Sequence, residues 1–257
     1  MIPMFALIKR EFTAYFLSPV GYVTLVFFLV VTGLLFLEAL TGLTRTGTQG
    51  VEYPMAAIVG SRTFWSVFAF IPPLLTMRLF AEERATGTLE SLLTAPIRDW
   101  QVVAGKFIGA ALFYKVLWLP TLLYVPILLD MKWNDGQPTC GIDPMTVIGG
   151  YVGVLLAGKM FLALGLFLSS LVKNQLIAAM ISLAAVLVFV VPGAVLPLLD
   201  ANTPLAGVLR YLSVPDHLRN DFARGIFDIR HIVLYVSVTL ASLYLTVRSL
   251  EARRLNA

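Results

Sequence analysis

The stretch VGYVTLVFFLVVTGLLFLEAL, residues 20–40, contains no charged side chain before Glu38. A helix that spans a bilayer needs about 20 consecutive, mostly apolar residues, and this stretch meets that requirement. Similar runs recur along the 257 residues, of which 58% are apolar and 13% charged. Soluble domains carry roughly 25% charged residues. The composition therefore predicts a polytopic membrane protein rather than a soluble domain.

The apolar runs predict an all-α fold of six transmembrane helices, in a single domain that covers residues 1–257. In the second span, Arg62 and Arg78 bound a short uncharged run, and Pro72 and Pro73 predict a kink. Prolines in the third and fifth spans are tolerated when neighbouring helices satisfy the freed backbone groups. The predicted spans are residues 20–40, 58–79, 106–129, 144–168, 176–198 and 231–250.

Residues 1–19 predict a separate helix before the first span. Its apolar side chains recur at helical spacing, and the charged residues 9–11 lie away from them. This pattern favours a helix in the membrane interface, because charges are costly deeper in the bilayer. Ser18 and Pro19 would end it, and the alternative is a plain extension of the first span. The predicted apolar face consists of Phe5, Ile8, Phe12, Tyr15 and Phe16.

The distribution of Lys and Arg predicts the orientation of the spans. Six spans place both termini on one side, and more of the basic residues outside the spans lie on that side. Cytoplasmic loops carry the excess of Lys and Arg, so both termini are predicted to be cytoplasmic. In the longest outer loop, residues 200–230, two stretches of apolar helical spacing flank Val214 and Pro215, which predicts short outer helices.

The chain has few of the residues from which metal and catalytic centres are built. One cysteine, Cys140, and two histidines, His217 and His231, exclude a cysteine-based metal site and a histidine-rich centre. The net charge of +4 is modest. With most of the chain in lipid, the basic residues are better explained as topology signals than as a nucleic-acid-binding patch.

Residues 153–160, GVLLAGKM, match all but the last position of the phosphate-binding pattern G-x-x-x-x-G-K-[ST]. The final hydroxyl of that motif holds Mg²⁺, and Met160 has none. The flanking residues are apolar, and in a helix their N–H groups would be engaged in i→i−4 bonds. The chain is therefore predicted to bind no nucleotide and no other cofactor itself.

The inner loop covers residues 77–100, MRLFAEERATGTLESLLTAPIRDW. Its residue pattern is typical of a folded element rather than of a flexible tether. Residues 82–84 form a charged head, and Gly87 gives the backbone freedom to turn. Leucines then follow helical spacing over residues 89–93, and Pro96 ends that helix. Such a short amphipathic helix either docks a cytoplasmic partner or lies on the lipid headgroups.

The segment ERATGTLESLLTAPI, residues 83–97, resembles the cytoplasmic loop of ABC-2 type permeases, the membrane subunits of ABC transporters. Three further stretches are similar to that family: IKREFTAYFLSPVGY at residues 8–22, SSLVKNQLIAA at residues 169–179 and VRSLEARR at residues 247–254. The resemblance covers essentially the whole chain, and the closest subgroup is that of the gliding-motility-associated permeases.

The resemblance implies an exporter in a bacterial cytoplasmic membrane. Two permease subunits, identical or related, would work with two separate ATPase subunits, with or without an accessory subunit. The permease subunits would be in contact with membrane lipid. ATP and Mg²⁺ would belong to the ATPase subunits, and the chain itself would not be an enzyme. No nucleic-acid partner is expected.

The resemblance also implies two groups of site residues. The loop region 82–97 would hold the coupling helix that seats on the ATPase, and its matching residues are Gly87, Thr88, Leu89, Glu90, Leu92, Leu93 and Pro96. The inner gate would involve Arg78, Glu82, Glu83 and Arg84. The alternative for the two glutamates is that they only favour the start of a helix.

Two lysines, Lys115 and Lys159, fall inside predicted spans. A lysine at the bilayer centre costs about 2.5–3.5 kcal/mol on insertion scales, so it normally faces the bundle, water or a partner acid. Either the two line a cavity that takes an anionic headgroup or cargo, or they snorkel or pair with an acid such as Glu38 or Asp130. The glycine pairs of GKFIG (residues 105–109) and GGYVG (residues 149–153) have the spacing that allows close contact between helices.

Three classes of function compete. A transporter subunit driven by an external ATPase agrees best with the inner loop. A membrane-embedded enzyme would need a catalytic cluster inside the spans, and the sequence shows no H-E-x-x-H motif and no plausible nucleophile–base pair. An ion-coupled carrier or channel would need acids near the centres of the spans, and they are nearly absent.

Overall fold

The computed structural model of the protein describes residues 2–45, 58–88, 98–130, 143–200 and 203–254. These residues form helices, short 3₁₀ turns and connecting loops, and no β-strand occurs among them. Five of the helical segments are long and apolar enough to cross a membrane. The all-α class of the fold is therefore confirmed.

Twelve α-helices are present among the described residues, and we number them in chain order. They are α1 (Ile2–Leu17), α2 (Pro19–Arg45), α3 (Arg62–Phe68), α4 (Ile71–Thr76), α5 (Ala81–Ala85), α6 (Asp99–Trp118), α7 (Tyr124–Asp130), α8 (Pro144–Leu171), α9 (Gln175–Val195), α10 (Pro204–Leu212), α11 (Val214–Asn220) and α12 (Ile229–Arg254). Short 3₁₀ turns lie at Pro120–Leu123, Leu196–Leu198 and Phe222–Arg224.

Five predicted spans correspond to the five long helical segments, which are α2, α6 with α7, α8, α9 and α12. The third begins earlier than predicted, at Asp99 instead of Lys106. The backbone N–H of Arg98 donates to Oε1 of Gln101 (3.2 Å), which fixes this early start. The helix predicted before the first span is also present and ends at Leu17, as the Ser18-Pro19 pair indicated.

The second predicted span, residues 58–79, is not the single kinked helix that was expected. It consists of α3 and α4, interrupted at Ala69 and Phe70. Pro72 and Pro73 have no N–H, so the carbonyl groups four residues before them lose their helical partners. The segment is nonetheless deeply buried, and its buried apolar residues are Ile58, Val59, Phe64, Trp65, Phe68, Ala69, Ile71, Leu75 and Leu79.

Helices α6 and α8 form the centre of the molecule. In the most apolar stretch of each segment that contains them, 61% of the residues are buried, compared with 33% for α2, 28% for α9 and 17% for α12. Helix α8 packs against α12, α9, α6 and α4. Aromatic rings of α3 fill the space between α2 and α6, with Phe64 and Phe68 stacked at 5.1 Å and Phe28 and Trp118 edge to face at 5.0 Å. The outer faces of α2, α9 and α12 remain apolar and exposed.

The start of α1 and the end of α12 lie at the same end of the bundle. Arg254, at the end of α12, contacts Asp99 at the start of α6 (3.5 Å). Arg253 donates to the carbonyl oxygen of Leu171 at the end of α8 (3.4 Å). Helix α1 packs against the first turns of α6, so the start of α1 lies there as well.

Two short helices, α10 and α11, lie between α9 and α12, as the apolar spacing of that loop predicted. The 3₁₀ turn that follows α11 rests on α8 at two glycines. A Cβ at Gly149 would lie 2.2 Å from the carbonyl oxygen of Phe222, and one at Gly153 would lie 2.7 Å from the ring of Phe222. Gly153, the first glycine of the motif at residues 153–160, therefore serves the close packing of α8 against this turn, and the helical state expected of that motif is confirmed.

Candidate functional site: a charged network at one end of the bundle

A group of ionised side chains lies where α1, α5 and α6 meet. We call Arg10, Glu11, Glu83 and Lys106 the charged network. It lies near the end of the bundle that holds the start of α1 and the end of α12, and it joins α1 to the inner loop and to the third predicted span.

Two glycines of α6 bring α1 close enough to build the network. A Cβ at Gly105 would lie 2.7 Å from Cδ2 of Leu7, and one at Gly109 would lie 2.7 Å from Cβ of Glu11. Small residues at this spacing let two helix backbones approach each other closely. As a result, the carboxylate of Glu11 reaches the ammonium of Lys106, one turn before Gly109.

Lys106 is the centre of the network, and only 1% of its side chain is exposed. Its Nζ lies 2.8 Å from Oε1 of Glu83 and 3.2 Å from Oε1 of Glu11. It also lies over the ring of Phe80, 5.3 Å from the centroid, where a cation is attracted to the aromatic face. A buried ammonium needs such partners, because removal from water is costly for an unpaired charge.

Arg10 closes the network on its exposed side. Its Nη2 lies 2.6 Å from Oε1 of Glu11 and 3.2 Å from Oε1 of Glu83. The other oxygen of Glu83, Oε2, is buried and makes no hydrogen bond within the described part of the chain. Glu83 is therefore held through one oxygen only, although two cations converge on it.

The prediction that Glu11 lies away from the packed side of α1 is wrong. Glu11 is buried against α6, together with Leu7, whereas Phe5 of the predicted apolar face is exposed. The close approach of α1 to α6 at Gly109 buries Glu11, whose carboxylate pairs there with Lys106, a residue distant in sequence. The pattern within α1 carries no sign of that partner, so the role of Glu11 could not be predicted.

The predicted gate residues Arg78 and Glu82 form a second ion pair beside the network. Nε of Arg78 lies 2.8 Å from Oε2 of Glu82, and its Nη1 donates to the hydroxyl of Ser18. The hydroxyl of Tyr15 donates to the carbonyl oxygen of Leu75 (2.8 Å). These bonds tie the end of α1 to the end of the broken second segment.

The side chain of Arg84, the fourth predicted gate residue, binds the end of α8 and takes no part in the charged network. Its Nη1 donates to the carbonyl oxygen of Ser170 (3.1 Å). The hydroxyl of Ser169 accepts the N–H groups of Phe80 (3.3 Å) and Ala81 (3.1 Å). The structure therefore brings Glu82, Glu83 and Arg78 together, and it places Arg84 on a different neighbour.

The start of the predicted coupling region is a turn at Gly87. Its φ of +74° lies in the left-handed region, which confirms the predicted role of glycine there. The hydroxyls of Thr86 and Thr88 lie 2.9 Å apart at this turn. The remaining residues predicted for coupling lie outside the described residues, and they are Leu89, Glu90, Leu92, Leu93 and Pro96.

A cavity of about 390 Å³ opens beside these side chains. Its charged lining consists of three cations and three carboxylates, which are Arg10, Arg78, Lys106, Glu11, Glu82 and Glu83. The charges are paired with one another across three separate elements. Such an arrangement can hold the elements together in one state and release them in another if the pairs exchange.

Lys115 and Lys159 lie away from the network, near the middle of the spans Asp99–Ile127 and Pro144–Leu171. The side chain of Lys115 is exposed, and that of Lys159 is half-buried. Neither forms an ion pair or hydrogen bond with another described residue. The predicted pairing with an acid near a span end is thus not seen in the described part of the chain.

A second polar cluster lies between α11 and α12, around His217. Its ring stacks on that of His231 at 3.6 Å, and its two nitrogens contact the hydroxyl of Tyr235 (3.1 Å) and the carbonyl oxygen of Arg210 (3.0 Å). Burial, assisted by repulsion from His231, lowers the pKa of His217 to about 4. The described residues contain no group of three or more potential ligands placed to hold a metal ion.

Comparison with known proteins gives one family. The profile of the family described as "ABC-2 family transporter protein" matches residues 5–251. The match contains the whole charged network. No curated protein sequence matches the chain significantly.

Proposed function

Because this chain belongs to the ABC-2 family of transporter membrane proteins, we propose that it is the permease subunit of an exporter driven by two separate ATPase subunits. A second permease copy, identical or related, completes the transporter, and ATP and Mg²⁺ are bound by the ATPases. Within the family, the loop at residues 83–97 favours the gliding-motility-associated subgroup. The chain resides in a bacterial cytoplasmic membrane.

The observation that carries the proposal is the anchoring of the inner loop. Helix α5 is bound to α1 and α6 through Glu83, and the turn before it is bound to the end of α8 through Ser169. A force applied to the loop would therefore be transmitted to α1, α6 and α8 together. This is what a coupling element requires, and it supports an inner gate formed by Arg78, Glu82, Glu83 and Arg84.

We further propose six membrane crossings with both termini in the cytoplasm. In this arrangement the broken segment at residues 58–79 counts as a crossing, buried within the bundle. The segment ends beside the last turn of α1, where Arg78 binds Ser18, and this position supports the topology. The start of α1 and the end of α12 lie at the same end of the bundle, which supports it as well. Irregular backbone at membrane depth is tolerated where protein surrounds it.

The test is purification in mild detergent of the chain expressed with its genomic neighbours, followed by an ATP-hydrolysis assay. We expect an ATPase subunit to purify with the chain in equal amount. Gly87→Pro should abolish the stimulation of ATP hydrolysis by the chain without unfolding the spans, because proline cannot adopt the positive φ of Gly87. Leu92→Asp, on the predicted apolar face of the coupling helix, should do the same.

Gly207→Ala is the matched control, since a Cβ at that position meets nothing within 4 Å. It should leave the stimulation unchanged. Retained stimulation in both Gly87→Pro and Leu92→Asp would contradict the coupling role. Purification of the chain alone, with no ATPase responding to it, would favour an ion-coupled carrier or channel instead.

A further inference from the structure

The two lysines in the middle of the membrane-spanning region flank the point where α6 and α8 cross. Helices α6 and α8 cross closely where Tyr114 packs over Gly158: a Cβ at Gly158 would lie 2.2 Å from Cζ of Tyr114. The Tyr114 hydroxyl donates to the carbonyl oxygen of Val154 (3.1 Å). Lys115 directly follows Tyr114 in α6, and Lys159 directly follows Gly158 in α8, so the crossing brings these two stretches of helix together.

Neither lysine can reach water by extending its side chain. Both lie near the middle of their spans, and the middle of the hydrocarbon layer is about 15 Å from either interface. A lysine near a helix end can extend its side chain so that the ammonium group reaches the membrane interface. At this depth two ammonium groups need a counter-charge or an aqueous path.

The chain itself provides no counter-charge at that depth. No Asp or Glu of the sequence lies near the middle of any long helix, and Glu38 and Asp130 lie toward the ends of theirs. For the same reason, a second copy of the chain in the same orientation offers no carboxylate at that level. A counter-charge at that level, as opposed to an aqueous path, would therefore have to come from a different molecule.

The surroundings of the lysines are apolar and open. Leu112, Leu119 and Leu122 of the same helical segment as Lys115 are 37%, 57% and 46% exposed. They follow helical spacing, so Lys115 lies within an exposed apolar stripe of α6 and the turn after it. A ligand that fits this surface carries an acidic group next to hydrocarbon.

We propose that Lys115 and Lys159 form a cationic site at the middle of the membrane, which binds the acidic group of an anionic amphiphile while it is transported. A resident bilayer lipid keeps its headgroup at the interface, about 15 Å away, so an acidic group that meets this pair is one in transit. This inference rests on the proposed function and names the class of its substrate.

The proposal is tested by binding, with the full-length chain in phosphatidylcholine nanodiscs. The probe is 12-bromododecyl phosphate, whose bromine quenches tryptophan fluorescence, and the reference is the zwitterionic 12-bromododecyl phosphocholine. We expect the wild-type chain to prefer the anionic probe by about tenfold or more, and the double variant Lys115→Met/Lys159→Met to lose that preference. A factor of ten corresponds to about 1.4 kcal/mol.

Two variants control for charge and fold. Lys115→Arg/Lys159→Arg keeps both charges and should keep the preference. Lys173→Met removes an exposed lysine between α8 and α9 and should also keep it. The proposal is overturned if the wild type shows no preference, if the double Met variant retains it, or if Lys173→Met loses it as well.

One further outcome would replace the proposal with another. If native mass spectrometry shows that the double Met variant loses its second permease copy, the lysines hold subunits together and the cargo site is rejected. The binding assay needs no ATPase, so a missing ATPase partner refutes the proposed function alone. Absence of a preference for the anionic probe in the wild-type chain, with ATPase coupling intact, refutes only this inference.

Discussion

Lys106 connects two carboxylates that come from distant parts of the chain, Glu11 and Glu83. All three side chains are largely or fully removed from water. Buried ion pairs of this kind contribute little net stability against well-packed apolar residues, but the loss of one partner is costly, because it leaves a charge that is buried and unpaired.

Lys106→Met should therefore destabilise the protein by about 3–5 kcal/mol. The expected observation is a lower midpoint of thermal unfolding in detergent, followed by intrinsic fluorescence. Lys9→Met is the control, because Lys9 is exposed on the same helix as Glu11 and its loss should change little. Adding Glu11→Gln and Glu83→Gln to Lys106→Met should recover much of the loss. If Lys106→Met unfolds like the wild type, the network does not stabilise the fold.

The charged network was only partly predictable. Glu83 is predictable as a site residue because it lies beside the loop that resembles the ABC-2 family. Lys106 lies at the start of the third predicted span, where lysines commonly reach the interface. Its burial depends on a helix that begins seven residues earlier, at Asp99, and on α1, whose sequence contains no signal for that packing.

His217 should make stability depend on pH. Its pKa is about 4 in the folded protein, below the ordinary value of 6.5. Between these two values the unfolded chain binds a proton that the folded chain does not, so stability is present above pH 6.5 and is lost as the pH falls toward 4. The slope should reach at most about 1.4 kcal/mol per pH unit.

Thermal unfolding measured from pH 7 to pH 4 checks this dependence. His217→Gln has no titrating group at this position and should flatten the part of the slope that belongs to His217. A slope that is the same in the wild type and in His217→Gln would show that His217 is not its source.

At the scale of elements, the contact of α1 with α6 depends on how closely the two backbones approach. Gly109 faces the Cβ of Glu11 at 2.7 Å and the backbone N of Phe12 at 3.3 Å, measured from an added Cβ. Gly105 faces mainly the end of the flexible Leu7 side chain. The same substitution should therefore have different effects at the two positions.

Gly109→Ala should cost about 1–3 kcal/mol, because backbone has to move, and should separate Glu11 from Lys106. Gly105→Ala should cost less, since the end of Leu7 can rotate away. Gly207→Ala, in α10, meets nothing within 4 Å and should be neutral or stabilising, because alanine is the better helix former. Thermal unfolding of the three variants gives the order, and equal effects at all three positions would contradict close packing as the cause.

Elements whose apolar residues run without interruption were predicted well. Helices α2, α8, α9 and α12 lie close to the predicted ranges, because length and apolar character alone define such a segment. Residues 58–79 contain the same residue types but form two short helices. The two adjacent prolines indicate a kink, but Phe64 and Phe68 of the broken segment also pack against Trp118 of α6, a partner that the local sequence does not reveal.

At the scale of the whole molecule, the number of crossings determines on which side each loop lies. If residues 58–79 cross the membrane, Cys140 lies outside the cell, whereas a segment that turns back would place it in the cytoplasm. Because Cys140 is the single cysteine of the chain, its reactivity decides between the two topologies.

We expect a membrane-impermeant maleimide to label Cys140 in intact cells. In a Cys140→Ser/Ala257→Cys variant, the new cysteine should react only after the membrane is permeabilised. Cys140→Ser alone should give no labelling and serves as the background. Labelling of the C-terminal cysteine in intact cells would contradict six crossings with cytoplasmic termini.

The broken second segment has a consequence for how the protein is made. A nascent helix can leave the translocation machinery for lipid only if its backbone groups are satisfied internally. With Pro72 and Pro73, the carbonyl groups of Phe68 and Ala69 lack their helical donors, and hydrocarbon supplies none. Residues 58–79 should therefore enter the membrane only once α6 and α8 are present to enclose them. The second span to be synthesised would be among the last to be inserted.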